Sequence, residues 1–287
     1  MDNEIAVDQE LKGTELITKH NVIIRASYRL TVSELRLVLM IIGQLKASKV
    51  KGNPLFVIRA EEYSRLYNID IKNAYRDIEE AAKELYSRTI TLNQHTETRW
   101  IQTRYNYIKG EGLIKLKLAD IILPYIQQLE SHFTAYYLNE VRNLKTIYSI
   151  RLFELCKSYL SMGEWIVELE EFKSILGLSK EYRVDNVISR AIDPAIKAIN
   201  EHTSLVIGYR KIKRGRVITG FSFSVEEKVH TPLKAQAVQD DRTRALELLN
   251  NDSWVSEHAL IGESWAQARA RLKQELDTGK FSLAPTN

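Results

Sequence analysis

The chain has 287 residues and a mass of 33.2 kDa, enough for about two domains, each able to bury its own core. It is 44% hydrophobic and 27% charged with few Gly and Pro (12 and 5), which excludes a disordered, fibrous or collagen-like chain. The net charge of +4 is unevenly placed: residues 226 to 287 hold eight Lys/Arg against ten Asp/Glu, so the tail is acidic and the rest basic.

In chain order, residues 31 to 46 predict a helix that opens on Thr31, a good N-cap. After Arg36 it is apolar on nearly every side (Leu37, Val38, Leu39, Met40, Ile41, Ile42, Leu45), which suits a central core helix or one that lends a face to a partner domain or subunit. A strand (55 to 59), a short helix (60 to 67) closed by Asn68 and a longer helix (71 to 87) follow. Two β-rich segments, 99 to 109 and 113 to 118, then meet at Gly110-Glu-Gly112. Residues 119 to 145 join this unit to a second one.

The second unit is a copy of the first. Thr31-Val-Ser-Glu-Leu35-Arg36-Leu37 recurs as Thr146-Ile-Tyr-Ser-Ile150-Arg151-Leu152, and Val57 to Tyr63 recurs as Ile166 to Phe172. Arg76, Ile78, Ala81, Lys83 and Leu85 then match Arg190, Ile192, Ala195, Lys197 and Ile199, with about five extra residues in the turn around 180 to 184. The copy predicts a helix (146 to 161), a strand (165 to 169), a short helix (170 to 176) closed by Gly177, and a helix over 184 to 201. In that last helix Val184, Val187, Ile188, Ala191, Ile192, Ala195, Ile196 and Ile199 form one apolar stripe, leaving Asn186, Ser189, Arg190, Asp193 and Lys197 outward. Pro194 should remove the hydrogen bond to the Arg190 carbonyl and bend the helix. A hairpin of 204 to 212 and 217 to 225 turns at Gly215, where Arg210, Lys211, Lys213, Arg214 and Arg216 form the densest cationic cluster of the chain.

Helix, strand, helix, turn, helix and a two-stranded hairpin describe a winged helix, so the fold expected is α+β: two tandem winged-helix domains plus a short helical C-terminal extension. The second helix of such a unit suits the major groove, and a basic hairpin beside it can hold the flanking phosphates. Residues 229 to 240 read as a linker, and 242 to 250 and 264 to 276 as amphipathic helices. Their Leu246, Leu249, Trp254, Leu260, Ile261, Trp265 and Leu272 are too few for an independent core. The tail is either an appendage folded back on the second domain or a docking segment for a partner protein.

Catalysis finds little support, and no enzyme activity or cofactor is expected. The chain lacks a Gly-rich phosphate loop ending in Gly-Lys-Ser/Thr, and its six His never form a close pair, which removes the usual metal spacings. A rolling-circle nickase would need such a metal beside a nucleophilic Tyr, so the 14 Tyr read as core, hairpin and backbone-contact residues. Asp240-Asp241 has no third carboxylate in helical register. The single Cys156 permits no internal disulfide and reads as a buried apolar residue. The first eleven residues carry four acids and no base, unlike a secretory leader, and the longest apolar run, 37 to 43, is far short of the roughly 20 residues of a membrane span. A cytoplasmic protein is expected.

The ordered set of motifs resembles the iteron-binding plasmid replication initiators. It comprises Leu30-Thr-Val-Ser-Glu-Leu-Arg36, Tyr107-Ile-Lys-Gly-Glu-Gly112, Phe133-Thr-Ala-Tyr136 leading into Tyr148-Ser-Ile-Arg-Leu-Phe153, Arg190-Ala-Ile-Asp-Pro-Ala-Ile-Lys-Ala-Ile-Asn200 and Lys213-Arg-Gly-Arg216. The resemblance covers roughly residues 14 to 225. It implies a protein that binds direct repeats of double-stranded origin DNA, works with host initiator and helicase-loading proteins, and as a dimer represses its own promoter at an inverted repeat. By position it implies base contact from Arg190, support from Arg183, Asn186, Lys197, Lys211, Lys213, Arg214 and Arg216, and a weaker first-domain face of Lys72, Asn73 and Arg76. Arg76 has Glu79 and Glu80 three and four residues on, so an intrahelical ion pair competes with DNA contact there. The domains implied are 1 to 130 for dimerisation and backbone contact, 131 to 228 for sequence-specific binding, and 229 to 287 for linker and tail. A winged-helix transcriptional repressor without initiator activity remains the alternative. A protein-interaction module with degenerate winged helices would have lost the wing cations, which are present.

Overall fold

The computed structural model describes residues 6–48, 50, 52–105, 110–127, 132–228, 255 and 263–277. Residues up to Lys228 form one compact unit, and those from Val229 a second.

Each repeat opens as its sequence dictates. In the first, the Glu34 N–H donates to Thr31 Oγ1 (3.2 Å) and the Thr31 N–H to Glu34 Oε2 (3.1 Å), and the helix runs over Val32–Ser48. In the second, the Ser149 N–H donates to Thr146 Oγ1 (3.1 Å) and the helix runs over Ile147–Ser158, shorter than expected because a 3₁₀ turn, Leu160–Met162, and Gly163 at φ 72° end it. Helix Val32–Ser48 is the centre of the core: Leu35 and every residue from Leu37 to Ile42 are fully buried within this chain. No face of it is left for a second subunit.

The strand after each opening helix pairs with the last strand of the following hairpin. In the first repeat Leu55–Arg59 lies antiparallel to Leu113–Leu118, which also pairs with Ile101–Tyr105, and Ala6–Val7 adds a parallel strand at the edge. In the second, Glu164–Glu168 pairs with Val217–Glu227, and that strand with Leu205–Arg214. The short helices Ala60–Tyr67 and Leu169–Ile175 are closed by left-handed residues, Asn68 at φ 49° and Gly177 at φ 65°.

Two features differ from the sequence reading. Residues 99 to 109 do not form one strand: Thr96–Arg99 pairs back on Thr89–Asn93, which pairs with Ser27–Tyr28, making a separate three-stranded sheet. Trp100 is the breakpoint. Its ring is fully buried, its backbone N–H donates to the Arg88 carbonyl (3.3 Å) and its carbonyl accepts from Ala119 (3.0 Å), so the chain changes sheets there. The joining stretch is also structured: Phe133–Tyr137 lies antiparallel to Leu16–His20, followed by the short helix Leu138–Val141.

A buried polar cluster lies where this strand pair meets helix Ile147–Ser158. Lys19 Nζ donates to Glu154 Oε1 at 2.6 Å with both side chains wholly inaccessible, and Tyr136 Oη donates to the same oxygen at 2.5 Å. Burial pulls the Lys19 ammonium below the ordinary lysine range, opposed by Glu154. Beside it Arg151 Nη2 donates to the carbonyls of Ala26 (2.8 Å) and Ile175 (2.9 Å), tying the segment before the first repeat to the short helix of the second.

Of the tail, helix Trp265–Asp277 is described, close to the expected 264 to 276; the expected linker and the helix over 242 to 250 lie outside the described residues.

Candidate nucleic-acid interface

The second repeat brings its two cationic elements side by side. Its long helix spans 184 to 202 and buries Val187, Ile188, Ala191, Ile192, Ala195 and Ile199, six of the eight residues of the stripe read from the sequence; Val184 and Ile196 are half-buried. Pro194 neither ends nor simply bends it. The helix widens to π geometry over Val187–Ile192, the Asp193 N–H reaches back five residues to the Ile188 carbonyl, and Pro194 then occupies the first turn of the α-helical segment Asp193–His202, where its missing N–H matters least.

The outward face carries Ser189, Arg190 and Lys197, all exposed; Asn186 is half-buried. Arg190 and Lys197 have no hydrogen-bond or ion-pair partner among the described residues. Arg183, at the start of the helix, lies 3.4 Å from Asp185, an exposed pair of little strength.

The wing is held to this helix at two points: Asn200 donates Nδ2 to the Ile207 carbonyl (2.9 Å) and accepts the Ile207 N–H at Oδ1 (2.7 Å), and nearer the tip a tyrosine reaches back to the helix. Tyr209 Oη donates to Asp193 Oδ1 at 2.8 Å, and partial burial followed by the Asp193 carboxylate raises the phenol to about 12. The hairpin Leu205–Arg214 and Val217–Glu227 changes register between Ile212 and Lys213 and turns at Gly215, φ 63°. Lys211, Lys213, Arg214 and Arg216 project from the tip, exposed and without a partner among the described residues. Arg210, the fifth member of the cationic cluster, is engaged: Nη2 donates to Glu164 Oε1 (2.8 Å) and Nε to Ser222 Oγ (3.0 Å), cross-linking the three strands at the base of the wing.

The first repeat offers a weaker version. Asp70 caps helix Ile71–Ser87 by accepting the Lys72 N–H (2.9 Å), and Lys72, Asn73 and Arg76 lie exposed over its first turns. Arg76 is paired, though with neighbouring Asp77 (3.4 Å) and not with Glu79 or Glu80. Exposed Glu79, Glu80 and Glu84 interleave with these cations, whereas in the second repeat Arg190 and Lys197 make no ion pair among the described residues. The tip residues of the first hairpin, 106–109, lie outside the described residues.

Similarity to known proteins bears directly on this arrangement. The description "Initiator Replication protein, WH1" matches residues 16–157, and "Initiator Rep protein, WH2" matches 168–225, together more than half of the chain. The chain belongs to the initiator replication proteins. Its fold is the family's pair of winged helices, and the WH2 span encloses both the helix over 184 to 202 and the wing. A replication initiation protein of Escherichia coli is 26% identical over 222 residues, 74% of this chain and 69% of that protein. A probable replication protein of Bifidobacterium longum is 30% identical over 123 residues, 40% of each. Among solved structures, the Pi initiator protein in complex with iteron DNA aligns with a TM-score of 0.64 at 23% identity, covering 77% of this chain and all of that one. That likeness establishes the winged-helix pair as the fold.

Sequence reasoning missed the buried cluster of Lys19, Tyr136, Arg151 and Glu154. The repeat carried a partial signal, since Arg151 recurs from Arg36 within otherwise apolar helices. Among the described residues no group of three His, Cys, Asp or Glu side chains is placed to hold a metal ion, and no helix is long and apolar enough to cross a membrane.

Proposed function

We propose that this initiator replication protein binds direct repeats at a plasmid origin, with the helix over 184 to 202 in the major groove and the wing on the adjoining backbone. The observation that carries the proposal is the set of cations on one winged helix that have no partner among the described residues: Arg190 and Lys197 on the helix, Lys211, Lys213, Arg214 and Arg216 on the wing. Cations without protein partners are free to displace counterions from phosphates or to meet a base edge. Arg190 is assigned base contact because it stands mid-helix on the outward face. The wing residues, with Arg183, Asn186 and Lys197, are assigned support, and Lys72, Asn73 and Arg76 a secondary backbone contact. Dimerisation through the first domain, repression of its own promoter and contact with host initiator and helicase-loading proteins complete the proposal. Burial of helix Val32–Ser48 moves the expected subunit contact to first-domain strands.

The two roles should fail differently. Arg190→Ala should lower the preference for the repeat over random DNA by about 1 to 3 kcal/mol and leave the salt slope of non-specific binding unchanged. Lys213→Ala with Arg214→Ala should weaken both DNAs together and flatten the log–log salt slope by about 0.9 for each phosphate no longer neutralised. Equal weakening of both DNAs by Arg190→Ala would remove its base-reading role. Replication of a plasmid carrying only this gene and its upstream region distinguishes an initiator from a repressor.

A further inference from the structure

The repeat places Arg36 and Arg151 at equivalent positions, and both guanidinium groups are buried over a tyrosine ring, Tyr67 at 4.5 Å and Tyr28 at 3.8 Å. Their surroundings differ. Arg151 is anchored by two backbone carbonyls. Arg36 has no such anchor: among the described residues its Nε and Nη2 meet neither an acceptor nor solvent, a state shared by Nε and Nη1 of Arg151 but there offset by the two carbonyl bonds. A buried cation left in this state is costly in a folded chain unless something supplies the missing charge.

Tyr67 also lines a cleft of about 240 Å³ whose polar walls are Lys12, Arg65, Asn139 and Arg142. Three cations and no carboxylate face this space. Lys12 and Arg142 are exposed and make no ion pair among the described residues. Arg65 gives Nη2 to the Leu11 carbonyl (2.6 Å) and Glu10 (3.0 Å). Two carboxylates stand at its rim: Glu10 pairs with Arg65, and Glu15 accepts the N–H groups of Lys12 (2.6 Å) and Gly13 (2.8 Å), while Glu62 accepts that of Leu11. Burial first, then the nearby charges of Arg36 and Arg142, hold the Lys145 ammonium below the usual lysine range, so positive potential accumulates on this side of the first domain.

We propose that this cleft is a phosphate-binding site, in which Lys12, Arg65 and Arg142 hold the anion; the buried Arg36, packed over the Tyr67 ring, does not line the cleft and adds only longer-range positive potential. Guanidinium forks and an ammonium match a tetrahedral oxyanion, which offers several acceptors and more than one negative charge. The phosphate has two sources, a free phosphate-bearing solute or the backbone of DNA passing the first domain. The second source rests on the function proposed above.

The test uses the full chain and two exposed positions, Lys12→Ala with Arg142→Ala. Inorganic phosphate is titrated calorimetrically against chloride at matched ionic strength, and binding to a random duplex is followed across a salt series. Wild type should bind phosphate, and the double variant should bind it more weakly by roughly tenfold for each cation removed. With the DNA salt slope unchanged, the site takes a free phosphate group. A slope flattened by about 0.9 to 1.8 identifies DNA phosphates as the occupant. Identical phosphate binding and identical slopes in both proteins, including no phosphate binding by either, overturn the site. Lys213→Ala with Arg214→Ala is the control: if it still weakens DNA binding, the interface of the second domain stands when the cleft falls.

Discussion

Replacing Lys19 by Met should be among the most damaging single changes in the chain, although Lys19 lies far from the proposed DNA interface. Lys19 and Glu154 are both fully buried and 2.6 Å apart, so the substitution leaves a carboxylate in the core with only Tyr136 Oη donating to it. Glu154 Oε2 already lacks a partner. Removing one member of a buried ion pair costs about 3 to 5 kcal/mol, which for a unit of this size lowers Tm by roughly 6 to 20 °C. Adding Glu154→Gln should recover most of that loss, because it removes the orphaned charge yet keeps a carbonyl for Tyr136; a residual cost of about 1 to 2 kcal/mol is expected. Urea denaturation of the wild type, both single variants and the double variant, followed by tryptophan fluorescence, closes the cycle. A Lys19→Met cost under about 1 kcal/mol, or a double variant as unstable as the sum of the singles, would refute a direct charge coupling between these two groups.

Gly177→Ala should destabilise by about 2 to 4 kcal/mol, because φ is 65° and a Cβ would lie 2.8 Å from the Tyr28 carbonyl oxygen; Gly177→Asn, tolerant of the backbone but not of the close approach, should rescue little in thermal melts. Burial raises the Glu62 carboxyl from 4.5 to about 7, so the folded chain holds a proton there that the unfolded chain has lost, and its contribution makes stability fall as pH rises from 4.5 to about 7. Tm measured across that range should decline less in Glu62→Gln, and an unchanged decline would acquit this residue. The Cys156 thiol, buried and held above its ordinary range, should resist a thiol reagent in the native protein and react fully in denaturant.

Local chemistry decided what the sequence alone could determine. The reciprocal caps at Thr31 and Thr146, the left-handed stops at Asn68 and Gly177, the apolar stripe over 184 to 202 and the turn at Gly215 each depend on residues a few positions apart, and all appear where their spacing puts them. The repeat made the two-winged-helix architecture legible, because two copies of one pattern must bury the same faces. Distant partners decided the rest. Leu16–His20 finds Phe133–Tyr137, Trp100 is drawn into the core and splits an expected strand, and Glu164 withdraws Arg210 from the wing. Whether a given arginine is free, paired or buried depends on which carboxylates and carbonyls the fold brings within about 3 Å, and spacing along the chain does not encode that distance. Arg36 and Arg151 illustrate this: equivalent in sequence and alike over a tyrosine ring, they differ because only Arg151 meets the carbonyls of Ala26 and Ile175.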